Sequence, residues 1–279
     1  MPVDRRKAFA LLREAAGAGS VGGMQNLAFA YAHGWGVARS VPKEVRWLRR
    51  VVQNGKGAVI WQWGHGSARG MVNGSLDMLG VIYQNGRGVP RDRTRAEAYF
   101  KRAAENGSNE GMNDLAWLYQ HWPGRPGLES RAISLLRRAA SGGYVPAVWN
   151  LAWAYQHGLG VPVNLVEARR WYHKARTLLR ARVAAGDRVA AEHLGLVYMD
   201  GVPREAARAR RLFGRLARGG DVKAMLVDAG LELGGIGGPV EKKKALAQLA
   251  KVLKRGSPGE KGQAQQLIAK FALQGMLSK

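Results

Sequence analysis

One pattern recurs along this chain and constrains its fold more than any other feature. Five tyrosines, at positions 31, 83, 119, 155 and 198, each follow a leucine by four residues and precede a segment that contains glycine. The interval between the second, third and fourth tyrosines is 36 residues, and the first and last intervals are 52 and 43. A period of this length is typical of proteins built from stacked structural repeats.

The clearest copy covers residues 145–175 and predicts two short helices joined by a turn. Helix A is predicted over 146–157, and Gly158 and Gly160 end it because glycine adopts positive φ at little cost. Asn164 is a suitable cap for helix B. The predicted buried positions are Ala147, Leu151, Ala152 and Tyr155 of helix A and Ala168, Tyr172 and Ala175 of helix B. Neither helix can bury its apolar face alone, so each repeat must stack on its neighbours.

Weaker copies flank this one. Residues 4–19 resemble a helix B. Six helix pairs follow, and five of them are predicted over 23–54, 75–106, 111–142, 145–175 and 224–255. The fifth pair in chain order lies between the last two ranges and contains Leu194, Gly195 and Tyr198. The sixth has Asp228 and Glu232 where the leucine and tyrosine would stand. The sequence therefore predicts a solenoid of about six helix pairs over residues 1–259, followed by a capping helix over 260–279.

Two intervals are longer than the basic period. Seven extra residues near 178–184 amount to two helical turns, so helix B of the fourth repeat can lengthen without rotating its buried face. The sixteen extra residues before the second repeat predict an insertion over 56–72, which contains Trp61 and Trp63. Two interpretations of this insertion stay open: a loop that covers the binding surface or contacts a partner, or an extra helix that fills a gap between the first two repeats.

Composition narrows the possible functions. The chain has no cysteine, which excludes disulfides, thiolate metal sites and cysteine nucleophiles. No apolar run reaches the roughly 18 residues that cross a bilayer. The first twenty residues are amphipathic and make a poor signal peptide. We expect a cytoplasmic protein, or a periplasmic or secreted one if a leader peptide has been removed.

The recurring pattern resembles the Sel1-like repeat, a relative of the tetratricopeptide repeat. It is carried by Leu79, Gly80, Tyr83, Gly86, Gly88, Val89, Ala96, Tyr99, Phe100, Ala103, Ala104 and Gly107, and again by Ala147, Leu151, Tyr155, Gly158, Gly160, Val161, Ala168, Trp171, Tyr172 and Ala175. The resemblance implies an all-α fold, a right-handed superhelical solenoid of antiparallel helix pairs with helix A on the concave side. It also implies a non-enzymatic adaptor, regulator or scaffold, and some bacterial members look like immunity proteins that neutralise an effector.

Helix A positions beside the buried face define a predicted partner-binding groove. These residues are Gln25, Asn26, Phe29, Asp77, Val81, Asn113, Trp117, Trp149, Asn150, Trp153, Gln156, Glu192 and Leu196. Aromatic anchors ringed by polar groups are typical of interface hot spots. Trp149 and Trp153 lie one helical turn apart, and we expect their joint replacement by alanine to abolish partner capture. The alternative is that the tryptophans pack between neighbouring helices.

The positive charge is concentrated on helix B. The chain has 44 lysines and arginines against 20 acidic residues, a formal charge of +24. A basic convex patch is predicted from Arg46, Arg49, Arg50, Lys101, Arg102, Arg137, Arg138, Arg169, Arg170, Lys174, Arg210, Arg211 and Arg215. Such a surface can bind nucleic acid or an anionic membrane, or can simply be solvated. The stretch 242–244 is predicted to be solvated as well.

An enzyme is not expected. No nucleophile–base pair, phosphate loop or metal-ligand spacing is visible, so we predict no cofactor and no metal. Three histidines, His33, His121 and His157, stand just before a turn, where a histidine can satisfy helix C-terminal carbonyls. The glycine pairs lack the strand-to-helix context of a nucleotide site and recur as turns. The sequence therefore predicts a monomer whose partner is another protein, a peptide or a folded effector, with nucleic acid as the alternative.

Overall fold

In a computed structural model the chain forms helices connected by short turns. The structure describes residues 4–55, 68–122, 125, 127–201 and 205–277. Fourteen helices and no strands occur within these ranges. The predicted all-α solenoid class is confirmed. The contacts divide the chain into two compact units, Met1–Val163 and Asn164–Lys279.

The helices alternate between A and B positions of the repeat. In the first unit they are α1 (Arg5–Gly17), α2 (Val21–His33), α3 (Val41–Asn54), α4 (Ala68–Asn85), α5 (Arg93–Glu105), α6 (Asn109–Gln120), α7 (Leu128–Ser141) and α8 (Val145–His157). In the second unit they are α9 (Leu165–Ala184), α10 (Arg188–Gly201), α11 (Ala206–Arg218), α12 (Val222–Leu233), α13 (Lys242–Arg255) and α14 (Pro258–Leu277). Even-numbered helices up to α12 are A helices, and odd-numbered helices are B helices.

Side-chain caps begin many of these helices. Ser20 and Ser108 accept hydrogen bonds from the backbone N–H of Gly23 and Gly111, at the starts of α2 and α6. Asn164, the predicted cap, accepts from the backbone at the start of α9. Each cap satisfies an N–H group that has no partner inside its own helix. The short polar residues between repeats thus set where the helices begin.

Glycine pairs make the turn from helix A to helix B. Gly158 and Gly160 have φ of 73° and 75°, which confirms the predicted turn. The second glycine is also required for space: a Cβ on Gly160 would lie 2.4 Å from the carbonyl oxygen of Glu129 at the start of α7. The turn therefore packs against the preceding B helix, where no side chain fits.

The core lies between successive A and B helices. Leu79 and Phe100 are fully buried, and so is the B-helix stripe Ala168, Tyr172 and Ala175. Gly80, which follows Leu79, must be small because the aromatic ring of the B helix packs onto it. A Cβ at this position would lie 2.4 Å from Cε1 of Phe100. The repeat motif is thus a packing rule between an A helix and the next B helix.

In the first unit the A helices also contact one another. Helix α4 contacts α2 and α6, and α6 contacts α8. The four A helices consequently form one layer, with equivalent positions side by side. In the second unit α12 contacts α11, α13 and α14, and α14 contacts α13 as well. A capping role for α14 stays a proposal.

Three details refine the sequence-based predictions. Helix α9 has 20 residues, as the seven extra residues predict. Residues 68–72 of the predicted insertion are the first turns of α4, where Val72 is buried; residues 56–67, with Trp61 and Trp63, lie outside the described residues. Tyr155, predicted to be buried, is only half-buried, because its hydroxyl reaches outward to accept a hydrogen bond from Arg137 over 2.6 Å.

Candidate protein-interaction face

Four equivalent positions of the first unit's A helices carry apolar side chains that the fold leaves accessible. Phe29, Val81 and Trp117 are 51%, 38% and 40% exposed, and Trp153 is half-buried. We call these four side chains, together with the polar residues beside them on α2, α4, α6 and α8, the A-helix face. Large apolar side chains in register on adjacent helices form a continuous surface, which is typical of interaction sites.

Each aromatic residue of the row packs against a histidine one turn later. The ring centroids are 4.2 Å apart for Phe29 and His33, 4.1 Å for Trp117 and His121, and 4.5 Å for Trp153 and His157. Nδ1 of His121 also lies 2.8 Å from the carbonyl oxygen of Trp117, as expected for a histidine at a helix end. The histidines hold the aromatic rings in place at the edge of the face.

Carboxamides connect the A helices beside this row. Nδ2 of Asn150 on α8 donates to Oδ1 of Asn113 on α6 over 2.8 Å, and Nδ2 of Asn113 donates to Asp114 over 3.1 Å. On the other side of α6, Ser108 donates to Asp77 of α4 over 3.1 Å. The A helices are therefore joined by side-chain hydrogen bonds as well as by apolar packing.

An acidic cluster accompanies these hydrogen bonds. Burial, reinforced by the negative charges of Glu110 and Asp114, raises the pKa of Asp77 to about 7. Burial also raises the pKa of Asp114 to about 6, with a smaller contribution from Glu110. Burial and the same three carboxylates raise the pKa of Tyr144. This part of the face therefore gains negative charge as the pH passes through neutrality, and it favours a cationic group.

The structure places the predicted groove residues at different depths. Asn26 is exposed, and Gln25, Asn150 and Gln156 are half-buried. Asp77 and Asn113 are buried, so they stabilise the face from within and cannot present a side chain freely. Glu192 and Leu196 lie on α10 of the second unit, half-buried and exposed respectively.

The two central tryptophans differ from the sequence-based expectation. Position 149 lies further from the buried stripe than 117, which predicts a more exposed side chain. The structure leaves Trp117 exposed, whereas Trp149 is half-buried and its Nε1 is buried with no hydrogen-bond acceptor among the described residues.

The predicted basic patch is exposed except at Arg102 and Arg210, which are half-buried. Several of its members have structural partners. Arg49 and Arg137 donate to the hydroxyls of Tyr83 and Tyr155, in the next A helix, over 2.6 Å each. Arg170 pairs with Glu167 over 2.8 Å. Some of the positively charged side chains on the B helices therefore make hydrogen bonds and ion pairs within the fold.

The sequence pattern does not predict several of the polar contacts. Lys244 is exposed, as predicted, but its Nζ also lies 2.5 Å from the buried carboxylate of Glu232. Ser108, Glu110 and Tyr144 join the acidic cluster although only Asp77 among its carboxylates was a predicted site residue. The sequence feature that could have indicated this cluster is that Asp77, Glu110 and Asp114 are the acidic residues of the A-helix stretches 73–86 and 109–122.

Within the described residues, no group of three or more histidine, aspartate or glutamate side chains has the geometry to hold a metal ion. No helix in the same ranges is long and apolar enough to cross a membrane.

Comparisons with known proteins agree with this architecture. The Sel1 repeat family matches residues 1–20, 22–55, 75–108, 109–144, 145–178 and 189–221. No protein of curated function matches the sequence. The sixth predicted repeat, 224–255, lies outside the matched residues, although α12 and α13 form a helix pair there.

Among solved structures, the fold is similar to c5321, a protective antigen of uropathogenic Escherichia coli with an SLR fold. The identity is 23%, the TM-score is 0.55, and the match covers 96% of this chain but only 56% of that one. A Sel1 repeat protein from Oxalobacter formigenes is 20% identical with a TM-score of 0.51, over 90% of this chain and 78% of that one. The likeness to immunity protein Pa5087 from Pseudomonas aeruginosa is lower, at 18% identity and a TM-score of 0.44, over 91% and 75% of the two chains.

The helix pairs, their shared packing rule and their repeated turns define an α-solenoid repeat protein. The chain belongs to the Sel1 repeat family. Members of this family are typically non-catalytic interaction scaffolds.

Proposed function

We propose that this protein is a non-enzymatic scaffold that binds another protein through the A-helix face of its first unit. The observation that carries the proposal is the row of accessible apolar side chains, led by Phe29 and Trp117, on helices that hold neither lysine nor arginine over 22–36, 73–86, 109–122 and 145–160. Exposed aromatic residues with polar neighbours are typical binding hot spots.

The chemistry of the face favours a partner segment that carries both apolar and basic side chains. Apolar anchors would pack on Phe29, Val81 and Trp117. A lysine or arginine of the partner would lie near Asp114 and Glu110, where the rest of the A-helix face offers no competing cation. Regulation of a bacterial pathway and neutralisation of an effector, the immunity role, are specific forms of this function, and the protein would act as a monomer.

The competing function is binding of nucleic acid or an anionic membrane by the exposed cations of the B helices. It would be strongly dependent on salt and independent of sequence. Several of these arginines already bond to tyrosines or glutamates. The exposed aromatic rings that could stack on bases, Phe29 and Trp117, lie on the A helices, whereas Trp47 and Trp171 of the B helices are half-buried.

The test compares the wild type with the Phe29→Ala, Trp117→Ala double variant. Partners captured from the native cell are identified, purified and titrated against both proteins at low and high salt. We expect binding at least tenfold weaker for the variant, with unchanged helical circular dichroism. The matched control is Val166→Ala with Leu246→Ala, which removes equally exposed apolar side chains from B helices.

Unchanged affinity of the folded double variant would refute the assignment of the face. If wild-type binding proves to be nucleic acid or lipid that high salt removes, the basic surface is the functional one.

A further inference from the structure

The second unit departs from the repeat pattern at several positions that lie together. On α12, Asp228 and Glu232 replace the leucine and tyrosine of the motif, and both carboxylates are buried. On α11, Gly214 follows the buried Phe213. The equivalent position has a long side chain in α3, α5, α7 and α9 (Arg49, Lys101, Arg137 and His173) and the small Ala250 in α13. A glycine within a helix costs stability, so its position calls for a physical reason.

The missing side chain opens a crevice of about 410 Å³ among α11, α12 and the start of α13. A Cβ on Gly214 would lie 3.3 Å from Oδ2 of Asp228, so the backbone of α11 approaches the buried carboxylate directly. The charged residues that line the crevice are Arg210, Arg211, Arg215, Arg218, Lys244 and Asp228, together with Glu241.

The carboxylates are already engaged, and they position cations at the wall. Gln248 donates to Asp228 over 2.9 Å and to Glu232 over 3.1 Å. Nζ of Lys244 lies 2.5 Å from Glu232. Across the crevice, Glu241 and the carbonyl oxygen of Pro239 accept hydrogen bonds from Arg210 over 3.0 Å and 2.7 Å.

Three arginines remain without a carboxylate partner among the described residues. Arg211, Arg215 and Arg218 follow one another along one face of α11, on both sides of Gly214, and all three line the crevice. Separate guanidinium groups suit a tetrahedral phosphate, whose oxygens point in different directions, better than a planar carboxylate. No aromatic side chain lines the crevice, so it offers no platform for stacking a base.

We infer that this crevice binds the phosphate group of a small phosphorylated molecule, which is held by Arg211, Arg215, Arg218 and Lys244. Its volume lies within the range of small-molecule sites. This site is separate from the partner-binding proposal, which uses residues of the first unit only.

The test is calorimetric titration of the full chain with inorganic pyrophosphate at low salt. We expect pyrophosphate to bind at a single site, with an affinity at least tenfold lower in the Arg211→Gln, Arg215→Gln, Arg218→Gln variant. The control, Arg46→Gln, Arg138→Gln, Arg169→Gln, removes the same charge from exposed B-helix positions and should change the affinity less than twofold. Equal loss in the two triple variants would mean diffuse attraction to a basic protein and would overturn the inference.

A second variant, Gly214→Gln, places a side chain in the crevice without changing the charge. We expect it to weaken pyrophosphate binding at least tenfold while its thermal melt stays cooperative; full affinity would overturn the inference. Inorganic phosphate and glucose 6-phosphate, titrated in parallel, distinguish a free anion from a phosphorylated metabolite as the source of the group. If duplex DNA binds the wild type and Gly214→Gln abolishes that binding too, the site serves a nucleic-acid backbone and the small-molecule inference fails.

Discussion

Oδ2 of Asp77 accepts a hydrogen bond from Oγ of Ser108 over 3.1 Å, while Oδ1 of the same carboxylate is buried with no donor among the described residues. A single hydrogen bond compensates little of the cost of burying a charge. The raised pKa of Asp77, about 7, follows from this imbalance together with the neighbouring Glu110.

We predict that Asp77→Asn removes part of the pH dependence of stability. The folded-state pKa, about 7, lies above the ordinary 3.8, so the folded protein keeps a proton that the unfolded chain loses. The stabilising contribution of that proton is complete below pH 4 and is lost as the pH rises towards 7 and beyond. The wild-type melting temperature should fall between pH 5 and pH 8 by a few degrees more than that of the variant, at about 2–4 °C per kcal/mol. Glu105→Gln, an exposed site, should follow the wild type; a parallel fall in Asp77→Asn would contradict the prediction.

The packing of Gly80 on Phe100 gives a second prediction. Gly80→Ala should destabilise the protein by about 1–3 kcal/mol, because its Cβ would lie 2.4 Å from the Phe100 ring inside a filled core. Gly74→Ala is the matched control on the same helix: nothing lies within 3.8 Å of its Cβ, and it should be neutral or stabilise by up to about 1 kcal/mol. Denaturant unfolding measures both, and similar costs would show that α5 does not pack on Gly80.

The two tryptophans are predicted to behave differently. Trp149→Ala should cost about 1–3 kcal/mol, since a half-buried indole loses its packing against neighbouring helices. Trp117→Ala should stay within about 1 kcal/mol of the wild type, because Trp117 is exposed. Thermal unfolding of the two single variants checks the order, and the opposite order would mean that Trp149 is the accessible anchor.

The ion pair between Lys244 and Glu232 is predicted to contribute to stability. Lys244→Met should destabilise by about 1–3 kcal/mol, because a fully buried carboxylate would lose its cation. Lys243→Met makes the same change at the exposed neighbouring position and should stay within about 0.5 kcal/mol. Equal effects in urea unfolding would show that Glu232 finds another donor.

The repeat itself could be predicted from the sequence because it depends on local and periodic features. Leucine, a small residue and tyrosine at helical spacing predict helix A; the glycine pair at Gly158 and Gly160 predicts the turn; and Asn164 predicts the start of α9. The lengthening of α9 followed from counting residues. Each of these features depends on residues that are close together in the sequence, so it can be predicted without knowledge of distant contacts.

The tertiary structure decided which side chains of the A helices stay accessible. Helical spacing predicts a more exposed side chain at Trp149 than at Trp117, but in the folded chain Trp149 is half-buried and Trp117 is exposed. Asp77 is likewise buried against α6, and Lys244 stays exposed while its ammonium group pairs with the buried carboxylate of Glu232. Exposure and pKa are set by the atoms of the adjacent repeat, and those atoms come together only when the helices stack.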